Sequence, residues 1–158
     1  MSKQHRRVAA IVIGGLALIL VVIFTVYSAI NFRPTTEIRL GLALYQMKPA
    51  VTNAARQQGL SGVKQLGTND GLLMVFPSDD TWGIWMKDMK IPLDIIWLNN
   101  QKKVIYIVND ASPSLGTSTT FRPEEPAKYV LEVSAGTIKH NSIKVGDVAS
   151  FNAIEAQS

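Results

Sequence analysis

Leu93-Asp94-Ile95-Ile96-Trp97-Leu98, then Asn99-Asn100, then Val104-Ile105-Tyr106-Ile107-Val108, is the stretch that decides the fold. Leu93, Ile95 and Trp97 fall on one side of an extended chain, and Asp94, Ile96 and Leu98 on the other. Both sides are apolar apart from Asp94, so this strand is covered on both faces. Asn-Asn is a hairpin turn signal, and the second run returns as its partner. Working outward, Ile38, Leu40, Leu42 and Leu44 alternate with smaller or polar residues and predict a half-buried strand. Pro49 and Thr52 open a short helical run, AARQQ, that stops at Gly59. Leu72–Phe76 predicts a strand ended by Pro77, and Trp82–Met86 another. Residues 109–126 predict a long surface loop; strands are expected again at Tyr129–Val133 and Val148–Phe151. Many short strands and one helix predict a mainly β domain, an antiparallel sandwich or partly closed barrel.

Ahead of this domain, residues 8–30 run for 23 residues without a charge. A helix of that length reaches roughly 34 Å, enough for a bilayer core of about 30 Å. Lys3, Arg6 and Arg7 precede it, so the positive-inside rule leaves residues 1–7 in the cytoplasm and the rest outside. The prediction is a single-pass anchor in the lipid bilayer, a linker at 31–37, an extracytoplasmic domain at 38–152 and a polar tail at 153–158. A cleaved signal peptide is the rival reading, although its apolar core is usually only about 7–15 residues.

Four of the 16 Lys and Arg lie before Pro34, leaving 12 to balance the 12 Asp and Glu that follow it. The formal charge of +4 therefore comes from the N-terminus and is no argument for a nucleic-acid partner. Cysteine is absent, which excludes disulfides, thiolate catalysis and thiolate metal sites.

Gly71-Leu72-Leu73-Met74-Val75-Phe76, Trp85-Met86-Lys87-Asp88-Met89-Lys90-Ile91-Pro92-Leu93-Asp94, Tyr129-Val130-Leu131-Glu132-Val133 with Gly136, and Gly146-Asp147 occur in that order. In this the chain resembles the prokaryotic family called domain of unknown function 192, over roughly residues 38–152. The resemblance implies a compact β-sandwich-like domain carrying a helix, and it implies no particular activity. Two departures stand out. The Arg usual after the family's Gly-Leu element is replaced in Gly59-Leu60-Ser61-Gly62 by Val63 and Lys64. The usual Asn of the Trp-Met-Lys turn is Asp88.

Candidate chemistry is sparse. The two histidines are His5 and His140, no Gly-x-Ser-x-Gly elbow occurs, and Ser112, Ser114 and Ser118 fall in the predicted loop. Asp79-Asp80 lacks the register of a calcium loop, so no metal site and no cofactor is expected. Asp94 and Glu132 both lie in apolar surroundings and need partners or a proton. For Asp94 these would be the Lys87 ammonium or free N–H groups of the Asp88–Ile91 turn. The preferred role of both acids is structural; the alternative pairs Asp94 with Glu132 or Asp88 as general acid and base. Trp85 and Trp97 are expected in the core, with Trp82 and Met89 as the exposed pair of a binding surface that includes Lys87. The expected protein is a non-catalytic module for a small ligand, an envelope polymer or a protein; the alternative is a cofactor-free hydrolase or lyase.

Overall fold

The computed structural model describes residues 14–15, 17–23 and 35–157. The chain divides into two compact units, 1–34 and 35–158. Residues 14–15 and 17–23 are helical. Most of the predicted span 8–30, residues 1–7 with His5, and linker residues 31–34 lie outside the described residues. Among the described residues, no helix is long and apolar enough to cross a membrane.

The second unit is built on eight strands: β1 Thr36–Leu40, β2 Ala43–Ala50, β3 Asp70–Asp80, β4 Ile84–Trp85, β5 Leu93–Leu98, β6 Val104–Ala111, β7 Thr120–Phe121 and β8 Ala127–Ser134. Six of them form one open sheet in the order β1-β2-β3-β8-β5-β6, and β4 pairs with β7 in a separate ribbon. The fold is thus mainly β with few helices, as predicted, and its main sheet is open rather than closed into a barrel. The sheet is mixed rather than purely antiparallel, because β2 and β3 run parallel. A parallel pair needs a crossover, and the helix Asn53–Gln58 sits in it, capped by the Thr52 hydroxyl, which accepts the Ala55 N–H.

One sequence expectation fails at the first hairpin. Ile38–Leu44 is not one strand, because Gly41 (φ +62°) and Leu42 form a two-residue turn and Leu40 faces Ala43. Cross-strand partners share a face. The inward set therefore changes from Ile38 and Leu40 to Tyr45 and Met47, while Leu42 and Leu44 are left exposed.

Every residue of β5 is buried. Ile96 and Leu98 join Ile38, Leu40, Leu73, Leu131, Ile138 and Phe151 on one face of the sheet. Ile95 and Trp97 join Leu72, Met74, Met86, Leu93 and Val130 on the other. The first face is covered by the C-terminal segment. Residues 148–151 are not a regular strand; they make isolated bridges, Val148 to Lys103 beside β6 and Ser150 to Arg39 of β1. Both edges of the sheet are thereby engaged, which blunts them against pairing with other chains. The loop 109–126 is shorter and more ordered than predicted, holding the end of β6, a 3-10 turn at Pro113–Leu115 and β7. A four-residue helix, Thr137–His140, follows β8.

Asp94 explains two of these features. Opposite it, β6 bulges between Val108 and Ala111, and Asp110 takes a left-handed φ of +51°. Asp94 Oδ1 accepts the Asp110 N–H at 2.8 Å, and Oδ2 accepts the Ile138 N–H at 2.8 Å. One carboxylate thus closes the bulge and caps the start of the Thr137–His140 helix. Its partners are neither Lys87 nor the Asp88–Ile91 turn. Other motif residues also sit at structural positions. Gly71 passes so close to β8 that an added Cβ would strike the Glu132 carbonyl and the Met47 thioether. Asp147 Oδ2 accepts the Lys144 N–H beside Gly146. Asp88 has φ +56°, a conformation that Asn and Asp tolerate better than other side chains.

Candidate ligand-binding cleft

On the second face of the sheet a cleft of about 460 Å³ opens between the helix and the segment that follows β3. Alternation along β3 turns Met74 and Phe76 into it, and β8 contributes Glu132. The helix supplies Arg56, and the turn after it Gly59, Leu60 and Ser61. Trp82, Trp85 and Met89 form the opposite wall.

The aromatic wall is fixed from several directions. Phe76 and Trp82 stack at 4.4 Å with their planes 11° apart. The Trp82 indole N–H donates to the Ser78 carbonyl, and the Trp82 carbonyl accepts the Trp97 indole N–H at 2.9 Å. The guanidinium of Arg56 lies over Phe76, 5.5 Å from its centre, and donates through Nη1 to the Val51 and Val75 carbonyls. Trp85, placed by the short β4–β7 ribbon, remains 46% exposed at the mouth.

Glu132 is the acid of this cleft. It lies in the middle of the sheet, opposite Leu72 of β3 and Ile95 of β5, and is 3% exposed. Its Oε2 is buried and has no hydrogen-bond partner among the described residues. Burial pushes its carboxyl up from the ordinary 4.5 to about 7, against the opposing pull of the Leu60 backbone N–H. Directly above it Gly59 takes φ +51°, and a Cβ there would come within 3.4 Å of Oε2. Glycine at that position satisfies the helix terminus and lets the turn lie close over the acid. An unsatisfied buried polar atom costs about 1–3 kcal/mol, so its retention at the floor of a cleft points to function.

The structure separates residues that the sequence suggested might act together. Asp94 and Glu132 project from opposite faces of the sheet, because Asp94 is paired with Val133 and Glu132 with Ile95. They are not an acid–base pair. Asp88 is exposed and lines, with Lys87, Gln57, Gln58, Ser61 and Gly62, a separate hollow of about 240 Å³. Of the three predicted binding residues, Trp82 and Met89 meet in the cleft and Lys87 lies outside it. The expected exposures need correcting in two places. Met89 is buried and Trp85 is exposed, because strand character in 82–86 extends only over Ile84 and Trp85 and leaves the Trp85 ring on the open side. Trp97 is in the core, as expected. Sequence reasoning missed Arg56 and the Gly59-Leu60-Ser61 wall. Their one legible signal was the Gly-Leu element just after a capped helix. Among the described residues, no group of three or more His, Asp or Glu could hold a metal.

An open mixed sheet with an apolar, tryptophan-walled cleft closed below by a buried acid defines a small, mainly β domain with few helices. The profile of the DUF192 family, described as uncharacterized ACR, matches residues 36–151, and the chain belongs to that family. A Thermococcus kodakarensis protein named UPF0127 protein TK1120 is 29% identical over 112 residues, covering 70% of this chain and 67% of that one. Two crystal structures are similar. A Sinorhizobium meliloti 1021 protein, provisionally described as a transcription regulator, superposes with a TM-score of 0.70 at 28% identity, covering 74% of this chain and 93% of that one. A protein of unknown function from Novosphingobium aromaticivorans DSM 12444 gives 0.68 at 26% identity, covering 72% and 83%.

Proposed function

We propose that this protein is a ligand-binding module, held at the outer face of a membrane by residues 8–30, whose Glu132 cleft takes a small, largely apolar ligand. The observation that carries the reading is the buried, unpartnered Glu132 oxygen under an open cleft walled by Phe76, Trp82 and Trp85. The volume lies within the roughly 300–1,000 Å³ of small-molecule sites. A catalytic reading has less support. Glu132 is the one acidic side chain among the residues lining the cleft, and glycosidase-type chemistry needs a second carboxylate across from the first. A role in transcription, as the description of the Sinorhizobium relative suggests for that protein, finds no support in the charge balance of residues 34–158, which is zero.

Two results follow. Trp85→Ala in the full-length protein is expected to weaken binding of any cleft ligand at least tenfold, read by tryptophan fluorescence. The half-exposed ring contributes little to folding, so the melting temperature should move by no more than a few degrees. Unchanged affinity in that variant would remove the cleft from consideration. For topology, protease added to spheroplasts should digest the domain and leave a membrane-bound N-terminal fragment. A full-length species free of the membrane would refute the anchor, and release of a chain beginning near Ala29 would show a cleaved signal peptide instead.

A further inference from the structure

We propose that the ligand of this cleft is an organic cation, an ammonium or amidinium group on an apolar body, with the cation seated on Glu132 and the body between the tryptophans and methionines. The inference rests on the ligand-site reading above and gives it a chemical class. A free carboxyl oxygen at the floor calls for a hydrogen-bond donor. A hydroxyl could donate there but would not compensate the carboxylate once it ionises, and an anion would set a second negative charge beside that ionised form. A cation supplies both the donor and the neutralising charge. The walls agree, since aromatic faces attract cations and thioethers adapt to varied apolar shapes.

The groups around Glu132 leave that role open. The flanking strands present Leu72 and Met74 from β3 and Ile95 from β5, none of them titratable. The turn above presents Gly59 and Leu60, and the opposite wall Trp82, Trp85 and Met89. From the helix comes Arg56, whose Nη1 is engaged by the Val51 and Val75 carbonyls. Lys87 and Asp88 belong to the neighbouring hollow. Seating a cation must therefore ionise Glu132, and the proton it held at neutral pH and below leaves to solvent. Affinity should rise with pH toward 7 and level off above it, since an aliphatic amine stays charged throughout this range.

The test uses the full-length protein with four probes of one size: benzylamine, benzamidine, benzyl alcohol and benzoate. Binding is followed by tryptophan fluorescence and, at pH 6, by calorimetry in two buffers of different ionisation enthalpy. The expected result is that benzylamine or benzamidine binds at least tenfold tighter than benzyl alcohol and benzoate, and releases protons. Affinity should increase by well over about tenfold from pH 5 to pH 7. Glu132→Gln should erase both the preference and the proton release, and Trp85→Ala should weaken all binding while keeping the preference. If benzyl alcohol or benzoate binds as tightly as the cations, or Glu132→Gln binds cations like wild type, the cation assignment is overturned while the cleft remains a ligand site. If none of the four probes binds, the cation assignment falls and the ligand-site reading falls with it.

Discussion

Asp94→Ala is expected to cost the domain roughly 3–5 kcal/mol, enough to lower its melting temperature by ten degrees or more. The carboxylate is 1% exposed and each oxygen accepts one backbone N–H. Hydrogen bonds to a charged group contribute about 1.5–3 kcal/mol each, and the alanine variant leaves the Ile138 donor unpaired in the interior and the Asp110 donor unpaired in a part-buried bulge. The loss is concentrated at two places that backbone propensity alone does not favour: the left-handed Asp110 of the β6 bulge and the start of a helix only four residues long. Asp94→Asn should fall between alanine and wild type, since its amide keeps one acceptor and turns a donor toward the second N–H. Asp79→Ala, at an exposed position of β3, should stay within about 0.5 kcal/mol. Urea unfolding of the three variants checks this order. A stable Asp94→Ala variant would mean that the bulge and helix are held by something else.

The second large effect concerns Glu132 and pH. Its carboxyl titrates at about 7 when folded, against an ordinary 4.5. Below about pH 4.5 both folded and unfolded chains hold the proton, and the group adds no pH dependence. Between 4.5 and 7 the unfolded chain loses the proton while the folded one keeps it, so stability falls as pH rises. Above 7 both are ionised and the loss is complete, on the order of 3 kcal/mol at 1.36 kcal/mol per unit. Glu132→Gln removes this slope. The difference in unfolding free energy between variant and wild type should therefore grow in the variant's favour from pH 5 to pH 8, by about 1–3 kcal/mol. A substitution that stabilises the fold and removes binding is the signature of a group retained for function. Parallel stability profiles for the two proteins would show that Glu132 is ionised at an ordinary pH and is a structural residue.

Much of the fold was legible because it is written in local pattern. The apolar run of β5 on both parities identifies a strand covered on two faces, and Thr52 and Gly59 mark both ends of the helix. What was misread depends on long-range partners. A hairpin of two residues at Gly41-Leu42 reverses which parity faces the core, and an alternating sequence reads the same across it. The parallel pairing of β2 with β3 leaves no mark on either strand alone. Strand β3 continues past Pro77, where a residue lacking an N–H sits in the irregular stretch between the Val75 and Asp80 registers. For the site, the sequence marked Glu132 and Asp94 as acids in apolar surroundings. Only the sheet register shows that they face opposite sides, one fastening backbone and one facing a cleft. Trp85 and Trp97 looked alike in sequence, and the two-residue length of β4 is what exposes the first.

Carbon-13 NMR of the Glu132 side-chain carboxyl across pH decides whether this residue is a buried acid that takes a cationic partner. The free full-length protein should show this carboxyl titrating near 7, and saturating benzylamine should move that titration downward by a unit or more. A Glu132 carboxyl that titrates near 4.5 in the free protein and ignores benzylamine would contradict the account.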